Sequence, residues 1–125
     1  MSPSRIPALA FVADLVAVVV FAAIGRASHA ESDGLLGLAA TAAPFAAGLL
    51  VAWATPWLRV RPAGLRAGGV ALAGTVVVGL ALRAVFLGRL PLSFAIVATV
   101  SLAVLLLGWR GVAMLVSRRV AQRVR

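Results

Sequence analysis

Ile6-Pro7-Ala8-Leu9-Ala10-Phe11-Val12-Ala13-Asp14-Leu15-Val16-Ala17-Val18-Val19-Val20-Phe21-Ala22-Ala23-Ile24 contains a single charged residue, Asp14. A helix crosses the hydrocarbon core of a bilayer with about 20 apolar residues, so this run predicts a transmembrane helix. Lipid offers no partner to open backbone groups, which leaves a helix as the natural way for such a segment to cross. Arg5 before the run and Ser28-His29-Ala30 after it loosely match the charged start and small-residue cleavage site of a secretory signal. The run is longer than the apolar core of such a signal and carries an acid, so a retained helix is expected.

Three further apolar runs follow, at 35–58, 67–87 and 92–116, each near the spanning length. Short linkers at 25–34, 59–66 and 88–91 join them and imply antiparallel neighbours. The expected fold is all-α: a polytopic membrane protein forming one four-transmembrane-helix, up-down-up-down bundle over 1–125, with a short basic tail at 117–125.

Composition agrees. The chain is 63% hydrophobic and 12% charged, against roughly 45–50% and about 25% in soluble domains, and its mean hydropathy is +1.11. The net charge of +9 comes from twelve arginines, no lysine, and Asp14, Glu31 and Asp33. In a soluble protein that balance would point to nucleic acid. Here the arginines flank apolar runs, where they set topology and meet lipid headgroups, so no nucleic-acid partner is expected. Cysteine is absent, which excludes disulfides, thiolate metal sites and cysteine nucleophiles. Abundant Ala, Val, Gly and Arg without Lys, Asn or Tyr suggests a GC-rich bacterial genome.

Arginine accumulates on one side of the predicted topology. Arg5, Arg59, Arg61, Arg66, Arg118, Arg119, Arg123 and Arg125 fall there, against Arg26 and Arg89 in the opposite linkers. The positive-inside rule then places both termini in the cytoplasm of a multi-pass protein of the bacterial plasma membrane. Trp53, Trp57 and Trp109 fall toward the same side, as an interfacial belt would place them.

Polar residues inside the spans are costly and therefore informative. Asp14 and Arg110 reach similar depth from helices running in opposite directions, which makes an intramembrane ion pair one reading. The other has Asp14 protonated or bonded to a hydroxyl, with Arg110 snorkelling to the headgroups. On the extracellular side, Arg26, His29, Glu31, Asp33 and Arg83 form a candidate polar cluster. Snorkelling alone accounts for Arg83; the sharper alternative is an anion or headgroup site built from Arg83, Arg26 and His29. His29 beside two acids could hold a metal weakly or respond to protons, but a solvated loop histidine is the simpler reading, and no metal site is expected.

Helix two carries packing information. Gly34, Gly37, Thr41, Gly48 and Ala52 line a face of small residues interrupted only by Phe45, and such faces let helices approach closely in lipid. Pro44 lacks an N–H and frees the carbonyl of Ala40; packing, rather than a cavity beside Thr41, is the reading preferred. No nucleotide loop, paired carboxylates or Ser/His/Asp set is present, so neither an enzyme nor a cofactor is expected. The arginine-rich tail suits anionic lipid headgroups.

Asp14, Gly25-Arg26-Ala27-Ser28-His29, Thr41-Ala42-Ala43-Pro44-Phe45, Gly79-Leu80-Ala81-Leu82-Arg83 and Gly108-Trp109-Arg110 together resemble the uncharacterised bacterial membrane family catalogued as domain of unknown function 3054. The resemblance covers nearly the whole chain and implies an integral membrane protein without an established activity. Small multidrug resistance transporters compare less well: they use an embedded Glu with aromatic neighbours, whereas this chain has no Tyr, and Arg110 would neutralise Asp14. Fluoride channels rely on embedded Asn, which is absent. The leading expectation is a structural or accessory membrane subunit, within a larger membrane complex or as a homo-oligomer. The alternative is a small proton-coupled transporter or channel-like homo-oligomer using Asp14.

Overall fold

The computed structural model describes residues 5–28 and 34–124, and the described residues are all helical apart from short turns. In chain order the helices are α1 (Ile6–Ser28), α2 (Gly34–Trp53), α3 (Pro56–Val60), α4 (Leu65–Leu87) and α5 (Leu92–Val124). Four of them, α1, α2, α4 and α5, are long and apolar enough to cross a membrane. The chain is a multi-pass membrane protein.

Helix α2 packs most extensively on α4, α4 also packs on α5, and α1 closes the arrangement by touching both α2 and α5. Val18, Phe21, Phe45, Leu49, Leu102 and Leu106 share one buried core. Val12, Val16, Val77 and Val104 are exposed on the outer faces. Apolar side chains in that position are what a hydrocarbon solvent accepts.

Helix α1 runs to Ser28 rather than 24, and α2 and α4 start one and two residues early; two boundaries differ by more, each for a local reason. The second apolar run does not continue as one helix to 58: α2 stops at Trp53. Pro56 has no N–H to give to the carbonyl of Ala52, and that carbonyl instead accepts from the Thr55 N–H at 3.0 Å and the Thr55 hydroxyl at 2.6 Å. Pro56 then opens α3 in the first turn, where its fixed φ is suited. This short helix packs against α4 and buries Leu58 completely.

The fourth run does not end at 116 either. Helix α5 continues through Val124, so most of the expected tail is helical. Its Ser117-Arg118-Arg119-Val120-Ala121-Gln122-Arg123 extension holds no Gly or Pro, and Arg, Ala and Gln favour helix. Its 33 residues span about 50 Å at 1.5 Å per residue, well beyond the hydrocarbon thickness of about 30 Å. By contrast α4 stops sharply at Gly88, whose φ of +73° lets its N–H reach the Ala84 carbonyl at 2.8 Å.

Helix α2 runs unbroken through Pro44, and the Thr41 hydroxyl donates to the Gly37 carbonyl at 3.0 Å. Gly37, Gly48 and Ala52 are buried, while Gly34 is exposed. Phe45 is not an interruption of this face. It is fully buried, and a Cβ placed on Gly79 of α4 would lie 2.5 Å from its ring. The small face and the phenyl ring thus form one fitted surface against Gly74, Thr75 and Gly79. Among the described residues, the Thr75 hydroxyl is buried there without a hydrogen-bond partner.

Candidate functional site

Asp14 lies eight residues into α1, about 12 Å along the helix from Ile6. At that level α2 ends, the segment between α3 and α4 passes beneath, and α5 brings in Arg110. Asp14 and Arg110 are both 0% exposed. The guanidinium meets the carboxylate as a fork: Nη1 donates to Oδ1 at 2.6 Å and Nη2 to Oδ2 at 2.8 Å. Parallel charge-assisted bonds of this kind are among the strongest available to side chains.

The surroundings complete the pair. The Trp109 indole N–H donates to Asp14 Oδ1 at 2.8 Å, and the Trp53 N–H donates to Oδ2 at 3.0 Å. Arg110 Nε donates to the Pro62 carbonyl at 2.9 Å, and Nη1 also to the Leu106 carbonyl at 3.0 Å. Asp14 therefore accepts four N–H bonds, a partner set that suits a carboxylate. Burying two charges is offset only when the geometry is good and the remaining donors and acceptors are satisfied; here each guanidinium nitrogen and each carboxylate oxygen has at least one partner.

Local packing explains how the side chains reach one another. A Cβ on Gly68 of α4 would sit 2.8 Å from Arg110 Cδ, so the absence of a side chain there makes room for the arginine stem. The Trp53 ring stands edge-on to Phe11 at 5.4 Å between centroids. Arg110 Cζ lies 4.4 Å from the centroid of the Trp109 ring.

Of the two sequence readings, the geometry matches the ion pair: Arg110 does not snorkel, and among the described residues Asp14 meets no hydroxyl. The belt reading of the tryptophans is corrected, since Trp53 and Trp109 turn inward to Asp14, while Trp57 is 54% exposed. Pro62 and Gly68 carried no sequence signal for this centre. Trp109→Phe keeps the aromatic bulk but removes one bond to a charged acceptor. It should cost about 1.5–3 kcal/mol in detergent unfolding, Trp53→Phe about as much, and Trp57→Phe close to nothing.

At the other end of the helices lies a cavity of about 420 Å³, lined by residues of α1, α2, α4, α5 and the α4–α5 connection that include Phe21, Thr41, Arg83, Arg89, Ser93 and Phe94. Arg83 of the expected polar cluster is thus on a cavity wall, its Cζ 4.3 Å from the centroid of the Phe94 ring. Thr41 borders this cavity, contrary to the packing-only reading. Arg26 lies in the last turn of α1, and His29, Glu31 and Asp33 fall outside the described residues. Among the described residues no group of three His, Cys, Asp or Glu side chains could hold a metal ion.

No curated protein and no solved structure matches the chain. One family model does match, over residues 11–113, a stretch that contains every residue of the Asp14–Arg110 centre. The chain belongs to that family, described as a protein of unknown function, DUF3054.

Proposed function

We propose that the protein is a non-enzymatic structural or accessory subunit of the bacterial cell membrane, and that its polar centre fixes the helices in one arrangement rather than handling a substrate. The observation that carries this reading is the closure of the centre: Asp14 is fully buried and engaged by four N–H donors from α2 and α5. A carboxylate that picks up protons or cations during transport needs an access path and a free lone pair, and this geometry favours neither. Buried ionic groups are well suited to specifying a single packing register.

In this reading both termini face the cytoplasm. Arg5, Arg59, Arg61, Arg66 and the extended end of α5 with Arg118, Arg119 and Arg123 lie on the Asp14 side, as the positive-inside rule requires. The basic extension of α5 then meets anionic headgroups.

Purification of the full chain from native membranes in mild detergent tests the proposal. Co-purification in fixed stoichiometry with a larger membrane protein is the expected result. A discrete homodimer whose ion flux disappears on Asp14→Asn, while its folding persists, would overturn the accessory role in favour of transport.

A further inference from the structure

Helix α1 supplies the carboxylate of the polar centre, and among the described residues every donor that meets it belongs to another helix. Trp53 comes from the end of α2, and Trp109 and Arg110 come from α5. Indole and guanidinium groups donate hydrogen bonds and do not accept them. These donors therefore form a receptor for an anion, and the planar guanidinium fork matches the two oxygens of a carboxylate.

Arg110 is held in place without α1. Its Nε and Nη1 donate to the Pro62 and Leu106 carbonyls at 2.9 and 3.0 Å. Its stem occupies the space that Gly68 of α4 leaves, and its Cζ stands 4.4 Å from the centroid of the Trp109 ring. A donor set supported in this way keeps its shape when its ligand leaves. Trp53 is the exception, because its ring rests edge-on against Phe11 of α1.

The helices that carry the receptor also lock to one another without α1. Gly48 of α2 lies against the backbone of Gly74 and Thr75 in α4. Phe45 of α2 covers Gly79 of α4 and stands 6.3 Å from the Phe94 ring of α5. Helix α1 lies against α2 and α5, and its one glycine, Gly25, makes no close approach. Side chains alone attach it: the edge-on pairs of Phe21 with Phe45 and Phe11 with Trp53, the buried Ala17, Val18 and Ala22, and the bonds of Asp14. In lipid, apolar contact between helices replaces one hydrocarbon surface by another, so the bonds of Asp14 carry a large share of that attachment.

We infer that α1 is a releasable latch: α2, α4 and α5 carry a carboxylate receptor centred on Arg110 and Trp109, and Asp14 occupies it in cis. When α1 lifts, the receptor stays formed and is open to another carboxylate. The inference rests on the fastening role proposed above, and it adds which helix is fastened and by what chemistry.

The chain has no cysteine, so single cysteines placed in the full-length protein report helix release through labelling by N-ethylmaleimide in mild detergent. Ala17→Cys and Ala22→Cys mark the buried face of α1, and Ala71→Cys marks that of α4. With Asp14 intact, both α1 positions should label faster than Ala71→Cys by about tenfold or more, as a segment that opens below the global unfolding free energy does. Butyrate is the probe of the vacated receptor. It binds the lifted state and not the latched one, so it should speed labelling of α1, by about tenfold at ten times its dissociation constant. Butyramide and chloride should not, and Ala71→Cys should stay slow throughout. Trp109→Phe should shift the butyrate response to higher concentration.

Three results would overturn the inference: equal labelling of α1 and α4, α1 labelling indifferent to butyrate, or butyramide as effective as butyrate. The first two arms keep every residue of the polar centre, and two reporters on α1 guard against a cysteine that disturbs folding. These readouts follow release of α1, whereas the accessory role is read by co-purification, so the two proposals fail separately.

Discussion

Arg110→Leu should destabilise the protein by about 3–5 kcal/mol, because it leaves the Asp14 charge buried without its counter-charge. Asp14→Leu should cost a similar amount, stranding the guanidinium among α4, α5 and the Pro62 carbonyl. The Asp14→Leu/Arg110→Leu double variant should cost no more than either single change. Removing both charges abolishes the desolvation problem and leaves only neutral groups unpaired: the Trp53 and Trp109 N–H donors and the Pro62 carbonyl. Unfolding titrations of the four proteins close a double-mutant cycle, and strong non-additivity is the expected signature of a direct pair. Additive losses would mean that the two residues act separately.

Charge reversal is a poorer test of the same contact. The position of Asp14 is surrounded by N–H donors from two tryptophans, and the position of Arg110 faces two carbonyls. In Asp14→Arg/Arg110→Asp, donors would face donors and acceptors would face acceptors. The exchanged pair should therefore fail to restore stability even though the native pair is real.

The second large effect is expected at the α2–α4 contact. A Cβ added to Gly48 would lie 2.5 Å from the Gly74 carbonyl oxygen and 2.9 Å from Thr75 Cα. Both obstacles are backbone, so no rotamer change relieves them, and α2 must move away from α4. Gly48→Ala should cost about 1–3 kcal/mol, the usual penalty of overpacking, and Gly48→Leu more. Gly69 and Gly111 are the matched controls, since a Cβ at either meets nothing within 4 Å. Alanine at those positions should be neutral or stabilise by up to about 1 kcal/mol through its better helix propensity. Thermal inactivation of each variant in the same detergent separates the two groups.

The four membrane-crossing helices were legible because hydropathy over some twenty residues is a strong, local signal. What escaped the sequence reading was finer or non-local. Pro56 was a readable stop, but Trp57 and Leu58 kept the apolar run going beyond it and masked the break. The extension of α5 was hidden for the opposite reason: hydropathy falls after Val116, while helix propensity does not. Asp14 and Arg110 could be paired by depth alone, since each is an isolated charge within its apolar run. Trp53 and Trp109 could not be assigned, because an interfacial tryptophan and a buried donor occupy the same depth in a sequence. Gly68 and Pro62 act through a missing side chain and a backbone carbonyl, features shared with many other positions. The cavity at Arg83 arises from four helices meeting at one end, which no single segment encodes.

The guanidinium of Arg110 is in direct contact with the carboxylate of Asp14 inside the membrane. Solid-state NMR dipolar recoupling on protein in lipid bilayers measures this, using guanidinium ¹⁵N and aspartate carboxylate ¹³C labels with Asp14 left as the sole aspartate by Asp33→Asn. A strong coupling is predicted, consistent with Nη–Oδ contacts of 2.6 and 2.8 Å, and it should vanish in Arg110→Leu. Absence of that coupling in the folded protein would rule out the contact.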